Sequence, residues 1–256
     1  MEAMRNMHDD GPFLLEIRRI STESNSREAY DVLYTEESLS QIESFYLWLM
    51  DRLELPGSGT FLDVSCGAGE VVRLAAQRGL QATGVDISHI VARVARRNVV
   101  PLGNIAVSNG EGLPFPDASF DLVTNIGSLE HFVSPAQGAS EMARVLRPGG
   151  RAFVLVPNTF SLLSNVWTAF RTGRTSADAQ PIQRYGARCD WTRLLEMNGL
   201  LVRKTFKYER SRPRSWADLR HYFRRPKELC RLLATPFVPL NLAWCFLFVC
   251  ERRSIG

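Results

Sequence analysis

No two cysteines in this sequence stand at metal-ligand spacing, and no stretch repeats or falls into low complexity. The five that occur, Cys66, Cys189, Cys230, Cys245 and Cys250, are scattered and odd in number. A disulfide framework and a zinc-ribbon type of site are not expected, and reduced thiols in a cytosolic protein are; no metal is expected either, because Gly127 and Ser128 stand before Leu129-Glu130-His131 where acidic ligands would be needed. The first ten residues carry both signs of charge and no apolar run, so a secretion leader is not expected either. Residues 232–250 contain no charged side chain over 19 positions, the length of a minimal membrane span. Pro236, Pro239 and Asn241 interrupt that stretch, and Trp244–Cys250 reads as a buried final strand.

What is present is an ordinary globular composition, 45% hydrophobic and 23% charged over 256 residues. That is enough for one substantial core with an appendage. The net charge of +4 is unevenly placed: residues 203–231 hold eleven Lys or Arg against Glu209, Asp218 and Glu228. Such a block suits an anionic partner, with a plain solvated helical face as the competing explanation.

Apolar periodicity gives the coarse organisation. Leu39, Ile42, Phe45, Tyr46, Leu49, Met50 and Leu53 have helical spacing, ending before Pro56-Gly57. Strands at about 59–64, 81–85, 104–108, 120–124 and 152–156 then alternate with helices, one capped by Ser88 and one opened by Ser134-Pro135. Strands apolar throughout argue for a parallel sheet covered on both faces. Residues 1–35 look irregular, Phe160–Phe170 helical, and Asp190 a helix cap. A strand near 200–206, the basic segment and the final strand complete the chain. The expected organisation is an N-terminal cap over 1–57, a core of 58–206 and 243–252, and a basic insertion at 207–242.

Phe61-Leu62-Asp63-Val64-Ser65-Cys66-Gly67-Ala68-Gly69-Glu70 carries the strongest functional signal. An apolar strand ends in an acid, and small residues then open a helix, bringing bare backbone N–H groups to a polar ligand. Asp86 ends the second strand 23 residues after Asp63. Two ligands compete for such a turn, a dinucleotide and S-adenosylmethionine. The dinucleotide fingerprint requires a third glycine, where this chain has Val72, and Glu70 sets a negative charge where a pyrophosphate would lie. A ligand without phosphate and with a cationic tail suits that neighbourhood better.

Four stretches, in order and spacing, resemble the class I S-adenosylmethionine-dependent methyltransferases, in the group acting on small-molecule, glycan or lipid-linked acceptors. They are Leu62–Gly69, Gly84-Val85-Asp86-Ile87-Ser88, Asn109–Pro116 running into Ser119–Val123, and Val145-Leu146-Arg147-Pro148-Gly149-Gly150. The resemblance implies an α/β, Rossmann-like, doubly wound seven-stranded sheet, mostly parallel with an antiparallel last strand, and helices on both faces. It also implies that Asp86 with Ile87 meets the ribose, and that Ser65, Cys66, Gly67 and Gly69 approach the methionine moiety. Asp63 supports that turn, and Asn109, Gly110 and Glu111 serve the adenine. Asp86 as a helix-capping residue and Asn109 as a loop turn are the structural alternatives. Ser65 stands where the family has its first glycine, and Asn109 where it has an acid.

Asn125 and the segment through Glu130-His131-Phe132 follow the fourth strand, where ligands bind in open α/β sheets. His131 is the candidate general base, against a structural role for Glu130 and His131. Tyr30 and Tyr34 form a candidate lid, Tyr34 toward the cofactor. Gln183-Arg184-Tyr185-Gly186 and the basic segment are candidate acceptor elements, the latter also for peripheral contact with an anionic membrane. Nucleic acid is not the expected partner: the Asn/Asp-Pro-Pro-aromatic signature of base-amino methylation is absent after the fourth strand. Alternatives kept open are an RNA methyltransferase, carbon methylation of a lipid, and a protein that binds S-adenosylmethionine without turnover.

Overall fold

The computed structural model describes residues 11–20, 27–32, 41–176 and 180–253. In chain order its elements are β1 (Leu14–Arg18), α1 (Glu43–Leu53), β2 (Thr60–Val64), α2 (Glu70–Ala76), β3 (Gln81–Asp86) and α3 (His89–Val99). β4 (Asn104–Val107), β5 (Phe120–Ile126), α4 (Pro135–Val145), β6 (Leu146–Pro157) and α5 (Trp167–Thr172) follow. The chain closes with β7 (Ile182–Gly186), α6 (Arg188–Met197), β8 (Leu200–Tyr208), α7 (Trp216–Phe223), α8 (Pro226–Ala234) and β9 (Cys245–Arg252). Seven strands form one sheet in the order β4-β3-β2-β5-β6-β9-β8. All run parallel except β9, which is antiparallel to both β6 and β8.

Both faces of this sheet are covered, which is why its strands are apolar at consecutive positions. Successive side chains still point to opposite sides. Phe61 and Leu247 join Leu49, Val72 and Ala95 in one core, against α1, α2 and α3. Leu62, Phe246 and Phe248 join Met142 and Trp191 in the other, against α4 and α6. Ser88 and Ser134 cap α3 and α4 as their sequence positions require, accepting from Val91 N and Gln137 N.

Several local expectations are corrected. The N-terminal stretch is not wholly irregular: β1 pairs antiparallel with β7, so Gln183-Arg184-Tyr185-Gly186 is a strand rather than a helix lead-in. Asp190 does not cap α6. Ala187 holds the cap position, and Asp190 lies in the first turn, where its Oδ1 accepts from the Phe13 N–H at 3.2 Å. A carboxylate there interacts favourably with the helix dipole while anchoring the residue before β1. The fifth parallel strand begins earlier than its apolar run, at Leu146, because the Pro148-Gly149-Gly150 turn is absorbed by a register shift opposite Phe120 and Leu122. The helix after β6 starts as a π-turn, Leu162–Val166, before α5.

The chain builds β2, β3 and β4 outward in one direction, then returns to place β5 and β6 on the other side of β2. The carboxyl ends of β2 and β5 therefore flank a switch point, where loops diverge and leave a crevice.

Candidate active site

Two adjoining cavities open at that switch point. The smaller, about 90 Å³, is lined by Tyr30, Asp86, Ile87, Asn109, Gly110 and Glu111 among others. The larger, about 680 Å³, takes in Asp63, Cys66 and Gly67, then extends to Tyr46, Tyr185, Tyr208 and Trp244. Ser65, Gly127, Ser128 and His131 border both.

The turn after β2 is built by backbone geometry. Ser65 (φ 62°), Gly67 (φ 53°) and Gly69 (φ 82°) all lie in the left-handed region. Glycine reaches that region without cost, whereas serine adopts it against a penalty of about 1–2 kcal/mol. The serine thus keeps the backbone path of a glycine turn rather than displacing it. Gly69 borders neither cavity and serves packing: a Cβ there would lie 2.7 Å from Val99 Cγ2.

Two carboxyls sit under this turn. Asp86 Oδ2 accepts from Gly67 N at 2.9 Å, and its Oδ1 accepts from Ser88 N at 3.0 Å. It therefore ties the glycine turn to the start of α3. Asp63 is buried beneath, with the Thr124 hydroxyl donating to its Oδ1 at 2.6 Å. Burial pushes Asp63 up to about 7, with the Thr124 bond opposing and the neighbouring Asp86 adding to the rise. Burial likewise raises Asp86 to about 6, against the backbone N–H groups it accepts from. No lysine or arginine among the described residues pairs with either, so the crevice floor favours a cationic ligand over a phosphate. Burial, aided by both aspartates, lifts the Cys66 thiol well above its ordinary value, which removes it as a nucleophile.

The remaining expected residues divide by role. Asn109 and Gly110 border the smaller cavity, and Asn109 Oδ1 also closes its own turn by accepting from Glu111 N at 3.0 Å. Gly110 admits no Cβ, which would meet Phe132 at 2.5 Å. The Glu111 carboxylate accepts from Val133 N and Ser134 N, fixing the approach to α4. Asn125 is fully buried and borders neither cavity: it donates to Val64 O and accepts from Leu129 N, bracing the loop from below. Tyr34 lies outside the described residues. Tyr30 does border the smaller cavity, its ring centroid 6.5 Å from that of His131.

His131 is held firmly. Its Nδ1 lies 2.6 Å from the carbonyl oxygen of Ile182. A carbonyl only accepts, so Nδ1 carries the hydrogen and Nε2 is the basic nitrogen, 3.9 Å from Glu130 Oε1. The loop itself is clamped by Arg184, whose guanidinium donates to the carbonyls of Glu130, Phe132 and Val133 and pairs with Glu16 at 2.6 Å. Burial lowers the Arg184 value, opposed by Glu16. The strand pair β1–β7 is thus the mount for the His131 loop.

Sequence reading missed the far wall. Tyr46 from α1, Tyr208 at the end of β8 and Trp244 before β9 close the larger cavity, with Tyr208 and Trp244 rings 5.8 Å apart. One signal was available. An antiparallel last strand brings its amino end, not its carboxyl end, to the ligand edge, which points to Trp244 and Cys245.

Part of the chain is similar to known methyltransferases. Residues 62–154 match the family described as a methyltransferase domain. The ubiquinone/menaquinone biosynthesis C-methyltransferase UbiE of Geotalea daltonii is 31% identical over 134 residues, 49% of this chain and 57% of that protein. The 27-O-demethylrifamycin SV methyltransferase of Amycolatopsis mediterranei is 30% identical over 168 residues, 60% of this chain and 62% of that one. The matched part thus spans about three fifths of these relatives' length. A chain from the Haloferax volcanii complex of the Trm112 methyltransferase activator superposes with a TM-score of 0.66. At 18% identity, over 90% of this chain and 99% of that one, it shares the fold. Over residues 62–154 the chain is thus similar to methyltransferase domains, and its fold is shared with solved methyltransferases.

Proposed function

We propose that this protein transfers a methyl group from S-adenosylmethionine to a small-molecule acceptor, with sugar, glycan or lipid-linked molecules among the candidates. The observation that carries the reading is the pair of buried carboxyls, Asp63 and Asp86, raised in pKa and uncompensated by any described cation, beneath a left-handed glycine-type turn. The residues fit the cofactor. Asp86 with Ile87 would hold the ribose, Asn109 and Gly110 the adenine, and Ser65 to Gly67 the methionine part, with Asp63 favouring its positive charge. Bound there, the cofactor supplies an electrophilic methyl group on a cationic sulfur.

The chain's own task is to align the acceptor, exclude water and, for a hydroxyl acceptor, take a proton. His131 Nε2 is the candidate proton acceptor, its tautomer set by the Ile182 carbonyl. The wall of Tyr46, Tyr185, Tyr208 and Trp244 suits an acceptor with apolar or planar surface. The relatives named for quinone and rifamycin methylation are in keeping with that. The expected location is cytoplasmic, with peripheral membrane contact through the basic segment; no described helix is long and apolar enough to cross a membrane.

Calorimetric titration with S-adenosylmethionine tests the reading directly. Asp86→Ala should weaken binding at least tenfold, by loss of the ribose acceptor and the Gly67 tether together, about 1.5–3 kcal/mol for a charged hydrogen bond. Failure of the wild-type protein to bind would sink it. Radiolabelled methyl transfer onto lipid, glycan and RNA extracts then separates the acceptor classes.

A further inference from the structure

The basic insertion between β8 and β9 is strongly segregated in charge. Its three acids are all engaged within the fold, two of them buried. Glu209 is buried and accepts from Trp244 N at 2.6 Å. Asp218 is buried and accepts from the Ser44 hydroxyl and Arg214 N. Glu228 pairs with Arg210 and, at 3.7 Å, with Arg231. The cations that meet acids or carbonyls are likewise used in building the fold: Lys207 donates to Thr235 O and Val238 O, and Arg214 pairs with Asp51.

What remains faces outward. Arg212, Arg220, Arg224, Arg225 and Lys227 are exposed and have no acidic partner among the described residues. The same segment exposes four large apolar side chains to water: Trp216 is 83% exposed, Phe223 67%, Leu233 66% and Phe237 86%. On α7 and its C-cap, Trp216, Arg220, Phe223 and Arg224 recur at helical spacing and form one face, while Tyr222 and Asp218 fill the buried one. On α8, Lys227 and Leu233 are likewise exposed. A merely solvated helical face would mix acids with bases and would not expose two aromatic rings beside them.

We propose that this face docks the protein onto the surface of an anionic lipid bilayer, with Trp216, Phe223, Leu233 and Phe237 entering the headgroup boundary and the five cations resting on the lipid phosphates. Charge complementarity selects the anionic surface, and exposed aromatic and aliphatic side chains select lipid over nucleic acid, for which Leu233 offers neither stacking nor pairing. The docking stands apart from the methyl-transfer reading. One consequence rests on that reading: Arg210 and Arg231 of the insertion stack on Trp244, at 4.1 and 5.4 Å, and Trp244 is a wall of the cleft, so the inner side of the docked insertion touches the acceptor wall.

Vesicle co-sedimentation tests the docking, using phosphatidylcholine alone and an equal mixture with phosphatidylglycerol, at low and high salt. The wild-type protein should sediment with the mixed vesicles and not with phosphatidylcholine alone, and high salt should release it. Each surface cation contributes about fivefold to such partitioning, so Arg220→Gln/Arg224→Gln/Arg225→Gln should lower it roughly a hundredfold. Trp216→Ala/Phe237→Ala should lower it too, less salt-dependently. Unchanged melting and S-adenosylmethionine titration in both variants would show that fold and cofactor site survive. Failure of the wild type to bind mixed vesicles, equal binding by the triple variant, or retention by RNA in place of vesicles would each overturn the proposal. A protein that binds vesicles but not S-adenosylmethionine would leave the docking standing and remove the methyltransferase reading.

Discussion

Asp63→Asn should stabilise this protein at neutral pH while weakening its cofactor binding, and the size of the effect follows from the site. Asp63 has an ordinary value of 3.8 and is pushed up to about 7 in the fold. A carboxyl raised in this way binds its proton more tightly folded than unfolded. Below about pH 3 both states are protonated and the group has no effect on stability. As pH rises from there to about 7 the unfolded state ionises first, so stability falls through that window and levels off above it. The shift of roughly three units corresponds to about 4 kcal/mol by pH 7.5. Asparagine keeps an oxygen for the Thr124 hydroxyl and carries no charge, so it lacks this penalty. Urea unfolding at pH 4.5, 6 and 7.5 should therefore show a small difference between variant and wild type at the lowest pH, growing to several kcal/mol at the highest. Calorimetry at pH 7.5 should show the reverse for S-adenosylmethionine, whose positive charge the buried carboxylate would favour under the proposed function. A stability difference that does not change with pH, or a variant that binds the cofactor as well as the wild type, would refute the reasoning.

His131→Gln should lower turnover with a hydroxyl acceptor by about a hundredfold or more while leaving S-adenosylmethionine affinity within about twofold. Full turnover in single-turnover assays would return His131 to a purely structural role. Ser65→Gly should relieve left-handed strain of about 1–2 kcal/mol and lose about 0.5–1 kcal/mol to added freedom in the unfolded chain, a net gain near 0.5–1 kcal/mol. That is a rise of roughly 2 °C in melting temperature; a fall would show that the serine hydroxyl has a structural bond of its own. Arg184→Gln should detach the His131 loop from β7, lowering turnover more than cofactor affinity, and restoration by Arg184→Lys would argue for charge alone over the guanidinium's several donors.

The sequence alone determined the parallel core, because doubly covered strands must be apolar at consecutive positions and helices must repeat near 3.6. It also determined the sharp turn after β2, because a left-handed backbone restricts residue choice over a few adjacent positions, Asp63 to Gly69. Capping by Ser88 and Ser134 was legible for the same local reason. Only the tertiary structure decided that β1 pairs with β7 from 168 residues away at Glu16 and Arg184, and that Arg184 mounts the His131 loop. It likewise decided that Asn125 braces from below while Tyr46, Tyr208 and Trp244 form the wall. Those contacts join residues distant in the chain, where no periodicity or spacing records them. The basic segment shows the division most clearly: its charge is written in the sequence, but the burial of Glu209 and Asp218 and the pairing of Glu228 with Arg210 and Arg231, which leave exposed cations and aromatics without acids beside them, are properties of packing.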